Sequence, residues 1–308
     1  MTKPGIPNDM VLSTSCYGPR LRAIEDQAFS AVAMGFRRLE LGLSPTPADL
    51  AGWEDAHRET GVQTDSVIVG ALDPMRENMS GSFLGSADSE ARERALNSSR
   101  RHIRLAQRLG APIVVVRGCA VENGALAGAA DRLTMGLVES DEDTLPKAQA
   151  EVAEFVHKVQ KRGQKQLEHF CRSIHTLRRE FPETQIAIEP GLHFNDLLNF
   201  EAMEWALADL AAENVGYWHD TARIHRRCKA GLPGQGAWLD SFASRMAGIH
   251  LSDASPVEEG LPPGAGEVDF KLVHEYVPRG IPTVVEVAAT HGRAEVLASV
   301  HFLIGAGF

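Results

Sequence analysis

The sequence predicts an α/β fold, a single (β/α)8 TIM barrel spanning residues 1–308, and three observations predict it. Short apolar or β-branched runs alternate with longer helical stretches along the whole chain, and eight such runs are present. The last four end in ionisable residues spaced 31, 30 and 36 positions apart, about one strand–helix unit each. No G-x-G-x-x-G follows the first run, as an open dinucleotide-binding sheet would require.

Taken in order, strands are expected at 10–15, 37–42, 62–69, 112–117, 185–189, 215–220, 247–251 and 283–287. Between the fourth and fifth, Leu167, Phe170, Cys171, Ile174 and Leu177 recur at the spacing of one helical face. Leu96, Ile103, Ala106 and Leu109 form a similar stripe before the fourth, closed by Gly110 as a helix stop. Gly35, Gly61 and Gly280 stand just ahead of the second, third and eighth strands. Segment 119–163 reads as an extra loop and helix inserted after the fourth strand. It has a small, Gly-rich start, an acidic E-S-D-E-D centre and a helical pattern over 147–162. A lid, an oligomer contact and a solvated insertion are all compatible with that pattern.

The length suits one barrel, and 44% hydrophobic with 23% charged residues is ordinary globular composition. A formal net charge of -10 argues against a nucleic-acid surface, which needs clustered Lys and Arg. Cys16, Cys119, Cys171 and Cys228 form no C-x-x-C pair and read as reduced thiols. The first residues lack the apolar core of a signal peptide, and no run approaches the ~18 apolar residues of a membrane span. The expectation is a soluble, cytoplasmic protein without a membrane partner.

The chemistry is concentrated at the strand ends. The fifth expected strand ends in Glu189, the sixth in Asp220, the seventh in His250 and the eighth near Glu286. In a barrel these ends converge at one mouth, where active sites are built. Three carboxylates buried together oppose one another's ionisation, and a divalent cation resolves that cost. Three carboxylates and an imidazole suit Mn²⁺ first, with Mg²⁺, Co²⁺ or Zn²⁺ as alternatives. The competing view makes each residue part of a separate surface ion pair or cap.

The ordered motifs I-A-I-E-P, H-D-T-A-R, G-I-H-L-S-D-A, G-A-G-E-V-D-F and V-V-E-V resemble the xylose-isomerase-like barrel superfamily. That group includes sugar epimerases and isomerases, inosose dehydratases and endonucleases of the DNA-repair type. The resemblance covers nearly the whole chain. It implies that Glu189, Asp220, His250 and Glu286 bind one metal ion and that Glu189 and Glu286 are the catalytic acid/base pair. It also implies that Asp253 and Glu267 support the metal-site loops. Two departures matter. The endonuclease-type histidines after strands three, four and seven are missing, which disfavours a trinuclear zinc centre and DNA cleavage. Arg223 stands where many relatives carry a histidine.

Further mouth candidates are Arg117, ending the fourth strand, and Arg223, either of which suits an anionic substrate group or a neighbouring acid. His193, Asn195 and His225 are candidate substrate contacts in the strand-five and strand-six loops. His219 should point away from the mouth if Asp220 points in, because neighbouring strand residues face opposite ways. Glu40 is expected to meet substrate or a nearby arginine. Trp205, Trp218 and Trp238 read as packing residues.

The function expected is a metal-dependent isomerase or epimerase of a small ketose or sugar-like polyol, moving a proton through a metal-bound enediolate. The alternatives are a metal-dependent dehydratase or lyase of the inosose dehydratase type, and a non-catalytic ligand-binding barrel. The partner is a small carbohydrate-like molecule, with a homo-oligomer left open.

Overall fold

The structure, a computed structural model, describes residues 5–73, 83–118, 120–191, 193–255 and 258–308. Cys119 lies outside these. The barrel strands are β1 (Met10–Ser13), β2 (Arg38–Leu41), β3 (Gln63–Ile68), β4 (Ile113–Arg117), β5 (Gln185–Glu189), β6 (Gly216–Asp220) and β7 (Met246–Leu251). A hairpin of β8 (Asp253–Ala254) and β9 (Glu259–Leu261) precedes the last barrel strand, β10 (Thr283–Val285). All barrel pairings are parallel, and β10 pairs with both β7 and β1 to close the ring. All eight strands coincide with the expected runs to within two residues at either end, and the fold is the (β/α)8 TIM barrel.

The helices are α1 (Ile24–Met34), α2 (Trp53–Thr60), α3 (Ser89–Leu109), α4 (Gly124–Glu139), α5 (Leu145–Glu180), α6 (Phe200–Asp209), α7 (Thr221–Lys229), α8 (Gln235–Phe242), α9 (Phe270–Tyr276) and α10 (Arg293–Ala306). At the end of α3, Gly110 takes φ 73, and its N–H caps the carbonyls of Ala106 and Gln107. A side chain there would have to adopt the left-handed backbone region at a cost.

The insertion differs from its expectation. Its Gly-rich start is a helix, α4, whose N-terminus Asn123 caps by accepting from the Ala125 and Leu126 N–H groups. Its second helix does not end near 162. It runs on as α5 for 36 residues, straight into the helix that packs on the barrel. At Gly163, inside this helix, a Cβ would lie 2.8 Å from both Leu197 and Val121. The glycine marks close packing inside a continuous helix.

Two apolar cores result. Inside the barrel, Val11, Ile68, Ile113, Val115, Ala187, Trp218, Ala247 and Val284 form one cluster. A larger one lies between the strands and the surrounding helices. The inner cluster sets the site above it, because strand residues two apart face the same way. Val115 precedes Arg117 by two positions, as Ala187 does Glu189, Trp218 does Asp220 and Val284 does Glu286. An apolar floor thus carries a layer of charge. Trp238 is buried as expected, but Trp205 on α6 is 64% exposed and is not a packing residue.

Candidate active site

The four strand-end residues do converge. One oxygen each of Glu189 and Asp220 and one nitrogen of His250 lie within 4.8 Å of one another. His250 Nδ1 touches Glu189 Oε1 and lies 3.7 Å from Glu286 Oε2. Glu189 and His250 are fully buried and Asp220 nearly so.

Two arginines are interleaved with these acids. Arg117 donates through Nε to Glu189 Oε2 at 2.7 Å and through Nη2 to both oxygens of Glu286 at 2.7 Å. Arg223 donates through Nη1 to Glu189 Oε2 at 2.9 Å and pairs with Asp220 Oδ2 at 3.1 Å. Both guanidiniums are therefore engaged by carboxylates of the site itself. Asp220 also accepts from the Arg223 backbone N–H, capping α7.

Glu40 proves to be part of this assembly. Its oxygens both lie 3.0 Å from His250 Nε2, and Oε2 accepts from Ser66 Oγ at 2.8 Å. In place of the expected arginine, the partners of Glu40 are His250 and Ser66. Trp218, expected only to pack, also reaches His250: its Nε1 lies 2.9 Å from Nδ1. Ser15, unremarked in the sequence, lies 3.4 Å from Glu286 Oε1 and 2.9 Å from Ser13 Oγ. No sequence signal distinguishes Ser15 from other loop serines.

The electrostatics follow from burial against pairing. Burial alone would raise Glu189, but Arg117, Arg223 and His250 together outweigh it and hold the carboxyl well below its usual range. Glu286, partly buried and facing Arg117 and His250, is brought down to about 2. Asp220 goes the other way: burial pushes it up to about 6 against the pull of Arg223. Burial would lower His250, but Glu40, Glu286 and Glu189 carry it well above its ordinary value.

Above this layer a cavity of about 330 Å³ opens, lined among others by Ser15, Arg117, Asp220, Arg223, Ser252 and Glu286. His193, exposed, and Asn195, buried, are not among its lining residues. His193 contributes its carbonyl to Arg227, and that of Asn195 accepts from Val121. His225 is turned aside to within 3.6 Å of Glu267, which also pairs with Lys229 at 2.8 Å. His219 faces outward, between the Tyr217 hydroxyl and Gln235.

The loop that follows His250 is held by one carboxylate. Asp253 accepts from the backbone N–H groups of Ala254, Gly264, Gly266 and Val268. A Cβ at Gly266 would stand 2.4 Å from the Ala254 carbonyl oxygen, so the loop closes this tightly only around glycine.

The donor set suits a divalent cation. Four carboxylates, Glu40, Glu189, Asp220 and the partly buried Glu286, outnumber the two guanidiniums and one imidazole set among them, so acidic groups are in excess at the site. Oxygen donors with one imidazole are the ligands that Mn²⁺, Mg²⁺, Co²⁺ and Zn²⁺ accept.

A closed parallel barrel with a buried, charged, concave mouth at its strand C-termini is the architecture of a (β/α)8 protein that works on a ligand at that mouth. The chain belongs to the xylose isomerase-like TIM barrel family, whose sequence profile matches residues 21–303. No curated protein matches the chain in sequence. Among solved structures it is similar to apo 3-keto-D-glucoside 4-epimerase from E. coli, with TM-score 0.63 and 14% identity, covering 97% of this chain and 100% of that one. It is also similar to D-psicose 3-epimerase with D-tagatose from Clostridium cellulolyticum H10, with TM-score 0.62, 11% identity, and 96% and 98% of the two chains covered. A xylose isomerase-like TIM barrel protein from Mycobacterium smegmatis in complex with magnesium gives TM-score 0.55, 14% identity and coverages of 96% and 95%. At these identities the likeness is one of fold. No described helix is long and apolar enough to cross a membrane.

Proposed function

We propose that the protein is a divalent-metal-dependent isomerase or epimerase of a small ketose or ketose-like polyol. The observation that carries this reading is the pair of glutamates, Glu189 and Glu286, joined through Arg117 beside His250 and Asp220 at the barrel mouth. The similarity of the fold to two sugar epimerases supports the substrate class.

Glu189, Asp220, His250 and Glu286 would hold the ion, as a ligand set of oxygen donors and one imidazole. A divalent ion held there would supply Lewis-acid polarisation of a carbonyl, acidifying the neighbouring C–H. Both glutamates are ionised at neutral pH, the form that accepts a proton. One removes the proton α to the carbonyl; the other, after taking up a proton from solvent, returns it at the face it borders, and the first then releases its proton to solvent. Arg117 holds the two carboxylates in place and supplies positive charge where the deprotonated substrate becomes negative. The cavity of about 330 Å³ accommodates a monosaccharide-sized ligand.

The test is deuterium exchange. Glu189→Gln and Glu286→Gln keep an oxygen donor and the side-chain shape while removing the basic group. Each should cut ketose turnover by at least ~10²-fold, with bound metal measured alongside. Exchange of substrate hydrogen with solvent should persist at one face in one of the variants. Near-normal conversion by metal-loaded variants would refute the two-glutamate mechanism. Loss of water from the substrate would place the chain with dehydratases instead.

A further inference from the structure

Glu40 is a fully buried acid that the proposed reaction does not use. It is the penultimate residue of β2, and its partner His250 is the penultimate residue of β7, so the contact crosses the barrel interior between strands that are not neighbours. Burying a carboxylate so deeply is costly unless it has dedicated partners. Glu40 has two: His250 Nε2, 3.0 Å from both oxygens, and the Ser66 hydroxyl, 2.8 Å from Oε2.

We infer that Glu40 is a positioning residue: as an acceptor for His250 Nε2–H it turns Nδ1 toward Glu189, Asp220 and Glu286 and leaves that nitrogen to bind metal. Lying 3.0 Å from both oxygens of the carboxyl, Nε2 is placed as the donor of this contact and so carries the hydrogen. Nδ1, which receives the Trp218 indole N–H, touches Glu189 and lies 3.7 Å from Glu286, is the nitrogen that a bound cation would take over from these partners. A carboxylate behind a ligating histidine fixes its tautomer and ring orientation and strengthens it as a ligand. Ser66, on the neighbouring strand β3, anchors the carboxylate in turn.

Geometry also separates this role from that of a direct ligand. Glu40, His250 and Glu286 form a second group of donors close enough to share an ion. Yet Glu40 meets His250 at Nε2, whereas Glu189 and Glu286 lie on the Nδ1 side of the ring, and its two oxygens are held by His250 and Ser66. The inference rests on the metal-dependent reading above, and the experiment keeps the two apart.

Mn²⁺ is titrated into the wild-type chain, Glu40→Gln, Glu40→Ala, Ser66→Ala and His250→Ala. The Zn²⁺-loaded wild-type protein is examined by ¹⁵N NMR of its histidine rings. The expected result is one ion per chain, bound roughly 10- to 100-fold more weakly in both Glu40 variants. Ser66→Ala should show a smaller loss of the same sign, and His250→Ala a larger one. In the Zn²⁺ protein, Nε2 of His250 should carry hydrogen and Nδ1 should show coordination. Coordination through Nε2, unchanged affinity in folded Glu40 variants, or a loss as complete as that of His250→Ala would each overturn the role. If the Glu40 variants do not fold, the wild-type ¹⁵N spectrum decides alone. A wild-type chain that binds neither metal would bring down the metal-dependent reading and this inference with it. That failure is visible before any variant is made.

Discussion

The ring of Trp218 occupies the space that a side chain at Gly248 would need: a Cβ at that position would lie 2.2 Å from the indole. The two residues face each other across the β6–β7 pairing, where the register shifts by one. The glycine thereby admits the largest side chain of the inner cluster, and the same indole reaches His250 through Nε1.

Gly248→Ala should therefore act as an overpacking mutation at the root of the site. A loss of about 1–3 kcal/mol is expected, read from the urea midpoint. Weakened Mn²⁺ binding should accompany it, since the displaced indole is in contact with His250. Wild-type stability would mean that Trp218 repacks freely.

Arg117→Met should expose the charge problem that Arg117 solves. Removing one partner of a buried ion pair typically costs about 3–5 kcal/mol, and here it leaves Glu189 and Glu286 facing each other with less compensation. Added Mn²⁺ should stabilise the variant more than the wild type, because the cation replaces lost positive charge. Equal metal-induced shifts in Tm would show that Arg117 and the metal are independent.

His102 supports the exit from β3. Its Nε2 accepts from the N–H groups of Gly70 and Leu72, both at 3.0 Å, while Nδ1 lies 2.8 Å from the Ser98 carbonyl. His102→Ala would orphan two backbone donors, at about 1–3 kcal/mol each. Burial lowers the pKa of His102, so the folded state favours the neutral ring. Its stabilising contribution is present above the unfolded value near 6.5 and fades as pH falls below it. Denaturant titrations at pH 7.5 and 5 should show the wild type losing more stability than the variant. Parallel losses would remove His102 from the account.

Asp65 gives the opposite dependence. It is buried beside Arg38, 3.0 Å away, and burial raises its pKa from 3.8 to about 6 despite that partner. The folded state binds this proton more tightly, so stability is highest below pH 3.8 and is lost as pH rises through 6. Asp65→Asn should gain on the wild type by roughly 2–3 kcal/mol between pH 4 and pH 7. A difference independent of pH would contradict the raised pKa.

The barrel was legible because each strand is short, apolar and separated from the next by a helical unit, a local signal repeated eight times. The site was legible where periodicity placed it: Glu189, Asp220, His250 and Glu286 share one architectural phase. What the sequence hides is pairing. Glu40 and His250 are 210 residues apart, and nothing local marks them as partners. Arg117 and Arg223 were recognisable as mouth residues with a neighbouring acid as one of two possible partners, but not which acids they join. The join between the insertion's helix and the next was missed because close packing, such as that of Gly163 against Leu197 and Val121, leaves no local mark in the sequence. Trp205 misled for the converse reason, an aromatic type that the fold leaves outside.

The continuity of α5 ties the insertion to the barrel by phase as well as by contact. At 1.5 Å and about 100° per residue, deleting one residue between 147 and 163 would swing everything upstream, α4 included, more than a quarter-turn around the helix axis. Removing seven residues, close to two whole turns, would shorten the arm by about 10 Å and restore its facing to within about 20°. Length changes in this segment should thus be tolerated in steps of whole turns, so the insertion behaves as a geared extension of the barrel and not as a tethered appendage.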